Sequence, residues 1–115
     1  MLDIKSANVT VMISDMDASI KFYTEVLGFQ LVNRFGDHWA DVQGPGISIG
    51  LHPTSADQAR ANNLQIGLRV DNLEQSVSTL KNLGVPVAAN SDDQVRLATF
   101  SDPDENILYL VQPQF

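Results

Sequence analysis

From Asn8 onward, apolar and polar residues alternate with a period of two. Val9, Val11 and Ile13 interleave with Asn8, Thr10 and Met12. The period then changes, and Met16, Ile20, Tyr23 and Leu27 fall at helical spacing. The change predicts a strand running into a helix with one apolar face. Ser14 or Asp15 can cap that helix, and Gly28 supplies the left-handed residue that ends it. The same order of periods returns in "LQIGLRVDNLEQSVSTLKNLGV", from Leu64. There Asp71 and Glu74 have capping-box spacing, with Asp in place of Ser or Thr. Leu73, Val77 and Leu80 make the buried stripe, and Gly84 ends the helix. Asp15 and Asp71 are 56 positions apart, as are Gly28 and Gly84. The chain therefore reads as an internal repeat.

Each helix is followed by extended sequence broken by turns. After Gly28 come "FQLVNRF", a Gly-Asp turn, "HWADVQ", a Gly-Pro-Gly turn and "ISIGLH". After Gly84 come "VPVAAN", a polar turn, "VRLATFS", an Asp-Pro-Asp turn and "ILYLVQ". The unit is strand, helix, strand, strand, strand. The reading is one α+β domain over residues 1–115, built of βαβββ modules at about 4–53 and 64–113. The polar linker 54–63 has no apolar periodicity and is expected to be exposed or mobile.

Four strands can be split into faces. Val9, Val11 and Ile13, then Ile47, Ile49 and Leu51, then Leu64, Ile66, Leu68 and Val70, then Leu108 and Leu110 should pack under helices. The opposite faces are Asn8, Thr10 and Met12; Ser48, Gly50 and His52; Gln65, Gly67 and Arg69; and Ile107, Tyr109 and Val111. A solvated face would be richer in Lys, Glu and Thr, and a buried one richer in Val and Leu. The mixture with glycines suits either a concave face with room for a guest or an ordinary half-wet sheet.

Composition removes several classes of function. The 115 residues carry a net charge of -7 and a pI near 4.4. Binding a nucleic-acid backbone needs clustered Lys and Arg, so that partner is excluded. The acidic balance serves solubility and is compatible with a cationic ligand. There is no cysteine, hence no thiolate chemistry, and a reducing cytoplasm is the expected compartment. No apolar run approaches the roughly 20 residues that span a bilayer, and the first residues lack the pattern of a signal peptide.

The repeated unit, the "SDMDASIKFYTEVLGF" segment and the "DPDEN" turn resemble the vicinal oxygen chelate superfamily. That group includes glyoxalase I, extradiol dioxygenases, fosfomycin-resistance enzymes and bleomycin-resistance proteins. The resemblance runs from about Asn8 to Gln112. It implies a curved mixed sheet around a concave cavity, helices on its outer face, and a homodimer. Metal-dependent members place a His or Glu at four strand positions, which correspond here to Asn8, Gly50, Gln65 and Tyr109. Neutral amides bind divalent cations weakly, glycine offers no side chain and a neutral phenol is a poor donor. No metal and no cofactor are therefore expected. The family's turn also has Gly where Glu105 stands, so either Glu105 or Asn106 takes the left-handed conformation.

Four further residues complete the candidate set. His52 shares a face with Gly50 and is a general base, a lone ligand or a half-exposed strand end; no acid is predictably beside it. Arg69 either anchors an anion or pairs at the rim with an acid such as Asp71. Trp39 offers a stacking wall and one donor, or plain core packing, an ambiguity that Phe35 and Phe100 share. His38 follows a turn and reads as a surface residue. The function expected is metal-free small-molecule binding, as in drug-binding or antibiotic-resistance members. Gly50 and Gly67 would widen the pocket, Asn8 and Gln65 would hydrogen-bond the guest, and Trp39 and Tyr109 would stack on it. The alternative is a glyoxalase-like lyase or dioxygenase-type enzyme, with a rearranged metal site or metal-independent acid–base chemistry.

Overall fold

The computed structural model describes residues 1, 3–55, 59, 64–91 and 95–113. The chain divides into two compact units, Met1–Ala61 and Asn62–Phe115. Module 1 contains β1 (Val9–Ile13), α1 (Met16–Lys21) continued by a π-helical turn (Phe22–Val26), β2 (Gln30–Phe35), β3 (Trp39–Gly44) and β4 (Ile47–Pro53). Module 2 contains β5 (Gln65–Arg69), α2 (Leu73–Asn82), β6 (Ala88–Ser91), β7 (Val95–Ser101) and β8 (Ile107–Pro113). Each module forms a mixed four-stranded sheet, in the orders β1-β4-β3-β2 and β5-β8-β7-β6. The first and last strands of each module pair in parallel, and the other pairs are antiparallel. The α+β class and the βαβββ order are those expected from the alternation.

The helices cover one face of each sheet, α1 against β3 and β4 and α2 against β7 and β8. The covered face is the apolar one. Val11, Ile13, Ala40, Val42, Ile49 and Leu51 are buried in module 1, and Ile66, Ala98, Phe100, Leu108 and Leu110 in module 2. Each large aliphatic side chain so buried contributes roughly 1.5–3 kcal/mol. Phe100 therefore belongs to the core and not to the open face of the sheet. From α1 and its π turn, Met16, Ile20 and Tyr23 are buried as the helical spacing predicts, and so are Ser19 and Phe22. Among the described residues the Ser19 hydroxyl finds no hydrogen-bond partner.

The caps correct the repeat spacing. Asp15 caps α1, its Oδ1 accepting the Ala18 amide at 3.0 Å. The cap of α2 is Asn72, not Asp71, and its Oδ1 accepts the Gln75 amide at 3.0 Å. Asp15 and Asn72 are 57 positions apart, whereas the left-handed Gly28 (φ +78°) and Gly84 (φ +83°) are 56 apart. Module 1 thus holds one more residue between cap and terminator. The π turn absorbs it, since a π turn is the shape a helix takes around one added residue. Leu27 donates to Phe22 O, five residues back, and Phe29 donates to Tyr23 O at 2.9 Å. In module 2 the ending is a Schellman motif, with Val85 N donating to Leu80 O and Gly84 N to Lys81 O. The wider turn also brings two adjacent aromatics inward. Phe22 and Tyr23 meet edge to face at 5.3 Å, and Tyr23 lies 6.3 Å from Phe29.

One other segment departs from expectation, and in a second the structure decides between two alternatives. Linker residue Ala59 is only 2% exposed, and its amide donates to Ser55 O; residues 56–58 and 60–63 lie outside the described residues. In the Asp-Pro-Asp turn the left-handed residue is Glu105, at φ +67°, and not Asn106. Asp102, 5% exposed, organises that turn. Its Oδ1 accepts the Asp104 and Asn106 amides at 2.9 and 2.8 Å, and its Oδ2 accepts from Asn106 Nδ2 at 2.9 Å. Three bonds to one buried carboxylate outweigh the roughly 1 kcal/mol that a side chain loses in the left-handed region.

Candidate functional sites on the two open sheet faces

Opposite α1, the sheet of module 1 presents three rows of side chains, each about 7 Å from the next along the strands. The first row is Phe35, Trp39, His52 and Met12. Phe35 pairs with Trp39 across β2 and β3, Met12 pairs with His52 across β1 and β4, and the Trp39 and His52 rings meet edge-on at 6.0 Å. Phe35 is 61% and Met12 37% exposed. The second row is Asn33, Asp41, Gly50 and Thr10. The third is Gln43 and Ser48. Asn8 lies just before β1, so it is not a strand residue. With Ser6, Gln43 and Ser48 it lines a polar groove of about 700 Å³.

Trp39 is held in place. Its Nε1 donates to Asp41 Oδ1 at 2.8 Å, and its six-membered ring covers Gly50, where any Cβ would overlap it. Two expectations are corrected by this. Gly50 does not widen a pocket, because the indole takes the space, and the Trp39 donor is already used. What Trp39 offers a guest is ring surface. Asp41 was absent from the candidates, although it is two residues from Trp39 on one strand and so shares its face. That periodicity was the available signal.

In module 2 the rows are Leu97, Val111 and Arg69; Ala88, Thr99, Tyr109 and Gly67; and Ser101, Ile107 and Gln65. Tyr109 pairs directly with Gly67, and its phenol end lies over that glycine. Gly67 is therefore covered as well and opens no room. An aromatic ring laid on a strand glycine is a known way for a sheet to replace lost packing. Gln65 and Arg69 are exposed at opposite ends of β5. Among the described residues no carboxylate pairs with Arg69, Asp71 included. His38 is exposed in the β2–β3 turn, its amide donating to Phe35 O at 3.0 Å.

Charge in module 1 is balanced away from these rows. Arg34 reaches Asp17 at 2.7 Å and Asp37 at 2.9 Å. Those bonds, Asp17 first, raise its pKa above the ordinary arginine value. The four family metal positions do not fit a catalytic cation. Asn8 and Gln65 are neutral amides, Gly50 lies under an indole, and the Tyr109 phenol rests on Gly67. Among the described residues no three His, Cys, Asp or Glu side chains converge. No described helix is long and apolar enough to cross a membrane.

Comparison with known proteins agrees on the architecture. TnmS3, an antibiotic binding protein from Streptomyces sp. CB03234, is 29% identical, with 99% of this chain and 100% of that one covered and a TM-score of 0.76. The fosfomycin resistance protein FosX from Listeria monocytogenes shares the fold at 14% identity, a TM-score of 0.81 and coverage of 96% and 94%. An uncharacterized protein of Mycolicibacterium smegmatis is 27% identical over 107 residues, 91% of this chain and 90% of its own length. Residues 5–110 match the family model of the Glyoxalase/Bleomycin resistance protein/Dioxygenase superfamily.

Proposed function

The chain belongs to the Glyoxalase/Bleomycin resistance protein/Dioxygenase superfamily, and we propose that within it the protein is a metal-free receptor for planar aromatic small molecules, of the drug-binding or resistance kind. One observation carries the reading: of the four positions that hold metal in enzymatic members, one lies under an aromatic ring and one supplies such a ring. Stacking surface stands where metal donors would be. On the open face of module 1, Trp39 would stack on the guest, His52, Met12 and Phe35 would extend that contact, and Asn8 would hydrogen-bond its polar substituents; on the open face of module 2, Tyr109 would stack and Gln65 would hydrogen-bond. Arg69 would meet an anionic group. The likeness to TnmS3, an antibiotic binding protein, supports the drug-binding kind. We take the working form to be a cytoplasmic homodimer.

The test is a thermal-shift screen of aromatic antibiotics and metabolites in buffer containing a chelator. A ligand at 100 times its Kd adds about 2.7 kcal/mol, on the order of ten degrees in Tm. At least one compound should give a saturable rise that Trp39→Ala or Tyr109→Ala reduces. No rise with any compound would overturn the reading. A rise that requires added Ni, Zn, Fe or Mn would overturn its metal-free part.

A further inference from the structure

We infer that module 2 carries a second, independent groove that binds an organic cation with an apolar body. The groove holds about 560 Å³ and lies between the segment entering β6 and the end of β7. Pro86, Val87, Ala88 and Phe100 give it apolar walls, and Asp102 and Glu105 are its charged lining residues. Among the described residues no Lys or Arg lines it. A carboxylate edge on an apolar wall recognises an ammonium carried on a hydrophobic group and disfavours an anion.

The repeat supplies a further observation that sets this groove apart. In module 1 the residue after the helix terminator is Phe29, whose ring covers Gly44 at the end of β3. In module 2 the residue after the terminator is Val85, and the position at the end of β7 equivalent to Gly44 is Asp102. One module closes its junction with an aromatic ring of its own. The other leaves a groove beside a smaller side chain and a carboxylate.

The experiment follows backbone amide shifts of the full-length ¹⁵N-labelled chain during titration with benzyltrimethylammonium, with neutral benzyl alcohol as control. Shifts are expected at Val87, Ala88, Thr99, Ser101 and Glu105, and not at Trp39, Asp41 or Gly50. Benzyl alcohol should bind more weakly. Glu105→Gln should weaken the cation about threefold, in keeping with a solvent-exposed charge contact. Glu105→Gly should do the same while relieving the backbone, so lost affinity there is not lost folding. Absence of shifts in module 2, equal binding of the neutral control, or unchanged affinity in both variants would overturn the inference. None of these outcomes bears on aromatic ligands at the Trp39 face.

Discussion

The two modules share one plan and solve its local problems differently. Both must end a helix at a left-handed glycine, and module 1 does so through a π turn that buries Phe22 and Tyr23, while module 2 uses a plain Schellman ending. Both have a strand glycine on the open face. Gly50 is covered from the neighbouring β3 by an indole tied to Asp41, whereas Gly67 is covered by the phenol of its own cross-strand partner. Both must close the last hairpin. A Gly-Pro-Gly turn does it in module 1, and a carboxylate with three hydrogen bonds does it in module 2. Repetition conserves the path of the backbone and leaves side chains free to fill the same spaces from different strands.

The largest expected difference lies in the hairpins. Asp102→Ala removes three bonds to one buried carboxylate and leaves two amides unsatisfied, so a loss of about 3 kcal/mol is expected in urea unfolding. A loss under about 1 kcal/mol would mean that the turn is held by other groups. Next come the covered glycines. Gly50→Ala and Gly67→Ala should each cost about 2 kcal/mol, because the new methyl meets an aromatic ring. Each cost should shrink when its own ring is removed, by Trp39→Ala for Gly50 and Tyr109→Ala for Gly67, and not when the rings are exchanged. Additivity within either pair would break the proposed contact. The smallest effect tests the repeat register. Asn72→Ala should cost about 1 kcal/mol and Asp71→Ala a few tenths at most; the reverse order would restore the 56-residue spacing at the cap.

The features legible in the sequence were those that depend on one segment at a time. Gly28 and Gly84 announce helix ends because few residues accept their φ, and the buried faces of β1, β4 and β8 follow from a period of two; on β5 the same period holds only for Ile66, since Leu64 is exposed and Leu68 and Val70 are half-buried. The cap at Asn72 was misplaced by one, because an Asp followed three positions later by Glu satisfies the same pattern. The π turn was hidden for a related reason. Met16, Ile20 and Tyr23 fit ordinary helical spacing, and only the distance from cap to terminator betrays the added residue. The candidate residues on the open faces could be grouped from alternation. Their relations could not, since whether Gly50 opens a space or supports a ring depends on the rotamer of Trp39 on another strand. Asp41 shows the limit most plainly: it reads as a polar strand residue until its bond to the indole is seen.

The bond between Trp39 and Asp41 also has an optical consequence. The chain contains one tryptophan, and it is pinned at a single spot in module 1 with an imidazole against its ring. Indole emission is thus a local gauge of module 1, sensitive to what touches the first row. The tyrosines are split between the modules, Tyr23 in one and Tyr109 in the other. Exciting indole alone and then both chromophores separates opening of the first module from loss of structure in the whole chain, with no label attached.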